Sequence, residues 1–148
     1  MKAKDFLTGE EIKSVTQAIA EAEKWTSGEI RVHLDETCTG SPMERAEEVF
    51  SFLKMDRTQL RNGVLIYVAC QSKVFAIIGD KGINDTVPEN FWQNVAEVMK
   101  KEFSAGRYAS GLSEAVRMAG EKLKEFFPYK ADDVNELPDD ISFGKQNP

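Results

Sequence analysis

Two periods of apolar and polar positions alternate along this chain. Ile12, Val15, Ile19, Ala22 and Trp25 recur at helical spacing, and Thr8 with Glu11 forms a capping-box pattern, so the first helix is expected over about residues 9–26. Ser27-Gly28 ends it. Ile30, Val32 and Leu34 then alternate with Arg31, His33 and Asp35, the period of a half-buried strand. Ser41 as N-cap, Pro42 at the first helical position and Glu44 start a second helix with the stripe Ala46, Val49, Phe50, Leu53. Residues 54–62 are polar and basic and carry no periodic signal.

Gly63 to Cys70 reads GVLIYVAC, a near-continuous apolar run of the kind a strand shows when both its faces are covered. After the break at Gln71-Ser72, residues 74–78 form a second apolar run, giving a hairpin. The glycine-containing segment GDKGINDTV follows over residues 79–87. Pro88 opens a third helix carrying Phe91, Trp92, Val95, Val98, Met99 and Phe103, and Gly106 breaks it. A fourth helix runs from Tyr108 to Phe127, with Pro128 as its stop. The order α-β-α-β-β-α-α, with a second strand apolar on both faces, predicts an α/β fold: a three-layer α/β/α sandwich with a small mixed sheet flanked by helices. The domain is expected to span residues 1–128, with an acidic tail over 129–148 that is either flexible or packed back on the domain.

That topology gathers three distant stretches at one rim of the sheet. They are Ser27-Gly28-Glu29, Arg61-Asn62 and Gly79-Asp80, with Asn84 and Asp85 close by. Asp80, Asn84 and Asp85 place hard oxygen donors within six positions, a chemistry that suits Ca²⁺ or Mg²⁺. The spacing is not that of an EF-hand, because Asp85 falls where that loop needs glycine and Phe91 where it needs glutamate. The same residues also read as a strand-to-helix connection in which Asp85 or Thr86 caps the third helix. Glu29 is either a ligand or base at the rim, or the residue after a helix end. Arg61-Asn62-Gly63 is either an anion contact or a solvated pre-strand loop.

Other chemistry is thin. Cys38 and Arg45 are separated by six residues, one more than a phosphate-cradling cysteine loop of the tyrosine phosphatase kind, so Cys38 reads as a free loop cysteine. The single histidine, His33, lies on the polar phase of the first strand and is expected at the surface or partly covered. HExxH, GxSxG, GxGxxG and the Walker A pattern do not occur. The formal net charge of −6 argues against nucleic acid as a partner. No run approaches the roughly 18 apolar residues of a membrane span, and the charged start at Lys2, Lys4 and Asp5 is unlike a secretory leader. A cytoplasmic, monomeric protein is the expectation. Asp132 to Phe143 alternates acids with Val134, Leu137, Ile141 and Phe143, a pattern that could order on a basic protein partner.

With these segments placed, the chain resembles the TPM-domain family, named for a thylakoid-lumen protein, a photosystem II repair protein and a modulator of levamisole receptors. The resemblance rests on Ser27-Gly28-Glu29-Ile30-Arg31-Val32, Arg61-Asn62-Gly63-Val64-Leu65-Ile66, Gly79-Asp80-Lys81-Gly82-Ile83-Asn84, Phe103-Ser104-Ala105-Gly106-Arg107-Tyr108 and Gly111-Leu112-Ser113-Glu114-Ala115, and covers about residues 8–127. It implies the α/β/α sandwich, divalent-cation binding in an acidic loop region, and the acid phosphatase activity associated with plant relatives. Asp80 and Asp85 carry over as metal ligands, followed by Asn84 and Glu29. Two functions are then expected to compete. One is a domain that binds Ca²⁺ or Mg²⁺ in a binding or regulatory role. The other is a metal-assisted phosphatase acting on phosphomonoesters, with Arg61 steadying the phosphate.

Overall fold

The computed structural model describes residues 2–129 and 141–144. Helix α1 (Gly9–Glu23) begins at a complete capping box: Glu11 N–H donates to Thr8 Oγ1 at 3.1 Å and Thr8 N–H to Glu11 Oε1 at 2.9 Å. Strand β1 (Glu29–Asp35) leads through α2 (Pro42–Phe52) to β2 (Gly63–Ala69), which pairs with β1 in parallel with His33 opposite Tyr67. Strand β3 (Val74–Gly79) returns antiparallel to β2. A one-turn helix α3 (Lys81–Asn84) precedes α4 (Phe91–Ser104) and α5 (Tyr108–Phe126). A two-residue strand β4 (Ser142–Phe143) pairs in parallel with the other side of β1, so the sheet order is β3-β2-β1-β4. Among the described residues no helix is long and apolar enough to cross a membrane.

The sheet separates two cores, as the expected three-layer sandwich requires. On one face Ile30, Val32 and Leu34 of β1 and Val64, Ile66 and Val68 of β2 pack with Val15 and Ile19 of α1, Val95 and Met99 of α4, and Leu112, Val116 and Leu123 of α5. On the other, Leu65, Tyr67 and Ala69 pack with Ala46, Val49 and Phe50 of α2 and with Met55. Strand β2 alternates between both cores, which explains its unbroken apolar run.

Several local expectations are corrected. β1 is not half-buried: all seven of its residues are buried, because it sits between β2 and β4 and its polar phase lies on the α2 side of the sheet. His33 is therefore fully buried rather than at the surface. The third helix does not open at Pro88; that residue heads a turn, with Phe91 N–H donating to the Pro88 carbonyl, and the helix starts at Phe91 with Asn90 as N-cap. Neither Asp85 nor Thr86 caps it: Asp85 closes α3, and the Thr86 hydroxyl donates to the Ile83 carbonyl. The unassigned segment holds a 3₁₀ turn at Met55–Arg57, entered through Lys54 and followed by Arg61, both in the left-handed region. The tail contributes β4; the acidic stretch Asp132–Asp140 lies outside the described residues.

Candidate functional site

The rim where β1 and β2 begin and β3 ends is held together by backbone hydrogen bonds. Asp80 N–H donates to the Gly63 carbonyl at 2.9 Å, and Gly63 is the parallel partner of Glu29. Asp80, Gly63 and Glu29 thus form a row across three strands, which places the outer two about 10 Å apart, two interstrand spacings. Asn62 joins them: its carbonyl accepts from Glu29 N–H, and its side-chain amide donates to Ser27 Oγ at 3.5 Å. Gly82 N–H donates to the Arg61 carbonyl at 2.8 Å, which locks α3 against the segment before β2. A glycine is required there, because a Cβ would overlap the Leu60 carbonyl oxygen and lie 2.6 Å from that of Arg61.

Each acid of the rim has a defined setting. Asp80 is the N-cap of α3, its Oδ1 accepting Lys81 N–H at 2.8 Å. The same carboxylate receives both arms of the Arg61 guanidinium, Nε at 2.7 Å and Nη2 at 2.9 Å. This fork-to-fork hydrogen bonding and the attraction of Asp80 raise the Arg61 pKa. Asp80 is buried whereas the Arg61 side chain is 49% exposed, so the pair has one fixed and one solvated member. Asp85 is exposed and pairs with Lys81 Nζ at 2.9 Å. Asn84 spans the turn: its amide donates to the Gly79 carbonyl at 2.7 Å, and its Oδ1 accepts Trp92 Nε1–H at 2.8 Å. Glu29 is buried at the start of β1. The fold thus brings Asp80, Asn84 and Asp85 into one turn and aligns Glu29 with Asp80. Among the described residues, no group of three or more His, Cys, Asp and Glu side chains could hold a metal ion.

At the opposite end of the sheet lies a buried polar cluster that sequence reasoning missed. His33 Nε2 is 3.0 Å from Asp35 Oδ1, and His33 Nδ1 is 2.7 Å from Ser142 Oγ. Asp35 also accepts the Tyr67 hydroxyl at 2.6 Å and Arg45 Nε at 2.8 Å. Burial alone pushes the Asp35 carboxyl up, but the hydrogen bonds from His33, Arg45 and Tyr67 outweigh it and hold the group well below the usual carboxylate range. Burial, and then the Asp35 partner, push the Tyr67 phenol far up. Although the cluster contains serine, histidine and aspartate, the Ser142 hydroxyl lies inside the sheet between His33 and the Val32 carbonyl, so it serves to fasten β4 to β1. The signal for it was present in the parallel register, which sets His33 beside Tyr67 with their rings stacked 6.0 Å apart.

A four-stranded mixed sheet between helical layers, with its acidic turn after the antiparallel strand, is the setting in which the relatives can be compared. The TPM domain model matches residues 1–122, and the chain belongs to the TPM-domain family. It is similar to BA42, a protein of the psychrophilic bacterium Bizionia argentinensis solved by NMR: 50% identity, TM-score 0.89, 97% of this chain and 99% of that one covered. It also shares its fold with the N-terminal domain of the cg2496 protein from Corynebacterium glutamicum, at 12% identity and TM-score 0.60 over 79% of this chain and 74% of that one. A search of the curated proteins finds no match.

Proposed function

We propose that this TPM domain is a binding module whose turn over residues 79–89 takes a divalent cation, Ca²⁺ or Mg²⁺, in exchange for the basic side chains that neutralise its acids. The observation that supports this reading is the Asp80–Arg61 pair, in which a buried, backbone-anchored carboxylate is neutralised by a half-exposed arginine. The Asp85–Lys81 pair repeats the arrangement one turn on, with an exposed lysine. Both countercharges can swing into water while Asp80 stays fixed by the Lys81 amide. The donors are hard oxygens, as these ions require: Asp80 and Asp85 as first ligands, the Asn84 oxygen if it releases Trp92, and Glu29 reaching across from β1 on the far side of β2. Because the ion must displace Arg61, affinity belongs in the weak range of about 0.1–1 mM.

Cation binding to the native state alone would stabilise the domain by mass action and order the turn. The test is a Ca²⁺ and Mg²⁺ titration followed by backbone amide NMR. Amides of residues 79–89 should shift first and saturably, and Asp80→Asn should abolish the response. Unmoved amides at millimolar metal would refute the reading. The competing phosphatase function needs Arg61 to leave Asp80 for a phosphate. It is favoured instead if p-nitrophenyl phosphate hydrolysis rises with added metal and disappears in Asp80→Asn.

A further inference from the structure

We infer that the cavity at the far end of β3 is a binding site for a small aromatic carboxylate. It is separate from the cation turn: Lys73 precedes β3 and Asp80 follows it, so the six residues of the strand set the two sites about 20 Å apart. The cavity has a volume of about 370 Å³, within the usual range for small-ligand sites. Its walls are Phe6, Phe75, Phe103 and Tyr108. These rings already contact one another edge-on or tilted: Phe6 and Tyr108 have centroids 4.5 Å apart, Phe103 and Tyr108 5.4 Å, and Phe75 and Phe103 5.7 Å. A flat aromatic body extends such a cluster with the same edge-to-face geometry.

Charge selects the other half of the ligand. The chain carries a formal net charge of −6, yet among the described residues the charged ones lining this cavity are Lys73 and Lys100. Among the described residues neither lysine has an ion-pair partner. Lys73 also sits at φ 57 in the β2–β3 turn, a left-handed position that glycine or asparagine fills with less strain. Lys73 nonetheless occupies it and lines the cavity with the aromatic side chains. The cavity borders the last residues of β2, Val68 and Ala69, at the carboxyl end of a parallel strand, where α/β sheets bind ligands. Two lysines without ion-pair partners and a tyrosine, lining a cavity with three phenylalanines, supply the donors and the apolar surface that one carboxylate on a ring system needs.

The test uses the intact chain with 2-naphthoate and its uncharged analogue 2-naphthalenemethanol, followed by amide NMR. Naphthoate should shift Phe75, Phe103 and Tyr108 saturably, and the alcohol should bind at least tenfold more weakly. In the Lys73→Ala/Lys100→Ala double variant, both lysines being exposed, naphthoate affinity should fall to that of the alcohol while the alcohol is unchanged. Equal affinity of acid and alcohol, unchanged naphthoate binding in the double variant, or shifts saturating only outside this cavity would overturn the assignment. Lack of any saturable shift up to the solubility limit would do so too. None of these outcomes depends on divalent cation, so the cation reading stands or falls separately.

Discussion

Ser142 and His33 face each other across the β4–β1 pair, with Ser142 Oγ 2.7 Å from His33 Nδ1. Asp35 can only accept, so His33 Nε2 keeps a proton for it and leaves Nδ1 to meet the serine hydroxyl. Two residues later, Gly144 N–H donates to the Leu34 carbonyl. A strand of two residues has little ladder of its own, so this side-chain bond carries a large share of its attachment. Ser142→Ala should cost about 1–2 kcal/mol, because it strands a buried ring nitrogen. Amide exchange at Gly144 should accelerate by about tenfold, the factor that 1.4 kcal/mol of lost attachment represents. Unaltered exchange there would place the attachment elsewhere.

Asp35 ties the domain's stability to acid. Its pKa is lower in the folded chain than in the unfolded one, so the unfolded state binds the proton more readily. The stabilisation is fully present above the unfolded carboxylate value of about 4 and is lost as pH falls from there toward the depressed folded value. Denaturant midpoints measured from pH 6 down to pH 2 should therefore drop steeply below about pH 4. Asp35→Asn should be less stable by about 3 kcal/mol at pH 7, since Arg45 and His33 lose their partner, and should show a shallower acid dependence. Parallel acid profiles for the two proteins would contradict this.

Gly82 is the close-packing point of the acidic turn. Gly82→Ala has to push the Leu60 and Arg61 carbonyls away, and backbone cannot yield as a flexible side chain can. A loss of about 2 kcal/mol is expected, read as a lower thermal midpoint. Chemical-shift changes should spread to Asp80 and Asn62, which share the packed rim.

Arg61 competes with the proposed ion. Arg61→Ala removes the countercharge from Asp80 and should raise Ca²⁺ affinity, by roughly fivefold if the lost competition is worth about 1 kcal/mol. Calorimetric titration of the two proteins measures it. Weaker binding in the variant would mean that Arg61 supports the site instead of blocking it.

The two cysteines should separate under alkylation. Cys70 is buried, and burial pushes its thiol up to about 12, whereas Cys38 is partly exposed in the loop before α2. Native protein treated with iodoacetamide at mild alkaline pH should carry one modification, at Cys38, as read by peptide mass mapping. Equal labelling of Cys70 would show that the end of β2 opens in solution.

Much of the fold was written in local patterns. Thr8 with Glu11, and Ser41-Pro42 with Glu44, state helix starts that backbone chemistry enforces within one turn. The apolar run of β2 encodes a strand covered on both faces, and the helical stripes of α4 and α5 encode the layer covering one of them. The convergence of Glu29, Asn62 and Asp80 at one rim also followed, because strand order and direction fix which ends meet. Whether Asp80 faces water, a lysine or an arginine did not follow. That depends on Arg61 adopting a left-handed backbone 19 positions away and folding its guanidinium back over the turn.

The alternation in β1 misled for a related reason. Period two states which residues share a face, not what covers that face. Sequence alone determined that Glu29, Arg31, His33 and Asp35 point together. Only the tertiary structure decided that all four are buried, with His33 and Asp35 reaching Ser142, Tyr67 and Arg45, in place of a wet surface. Local propensity is set by neighbours within a turn or two. Burial and charge pairing are set by contacts such as His33 with Ser142, 109 positions apart, which no short pattern records.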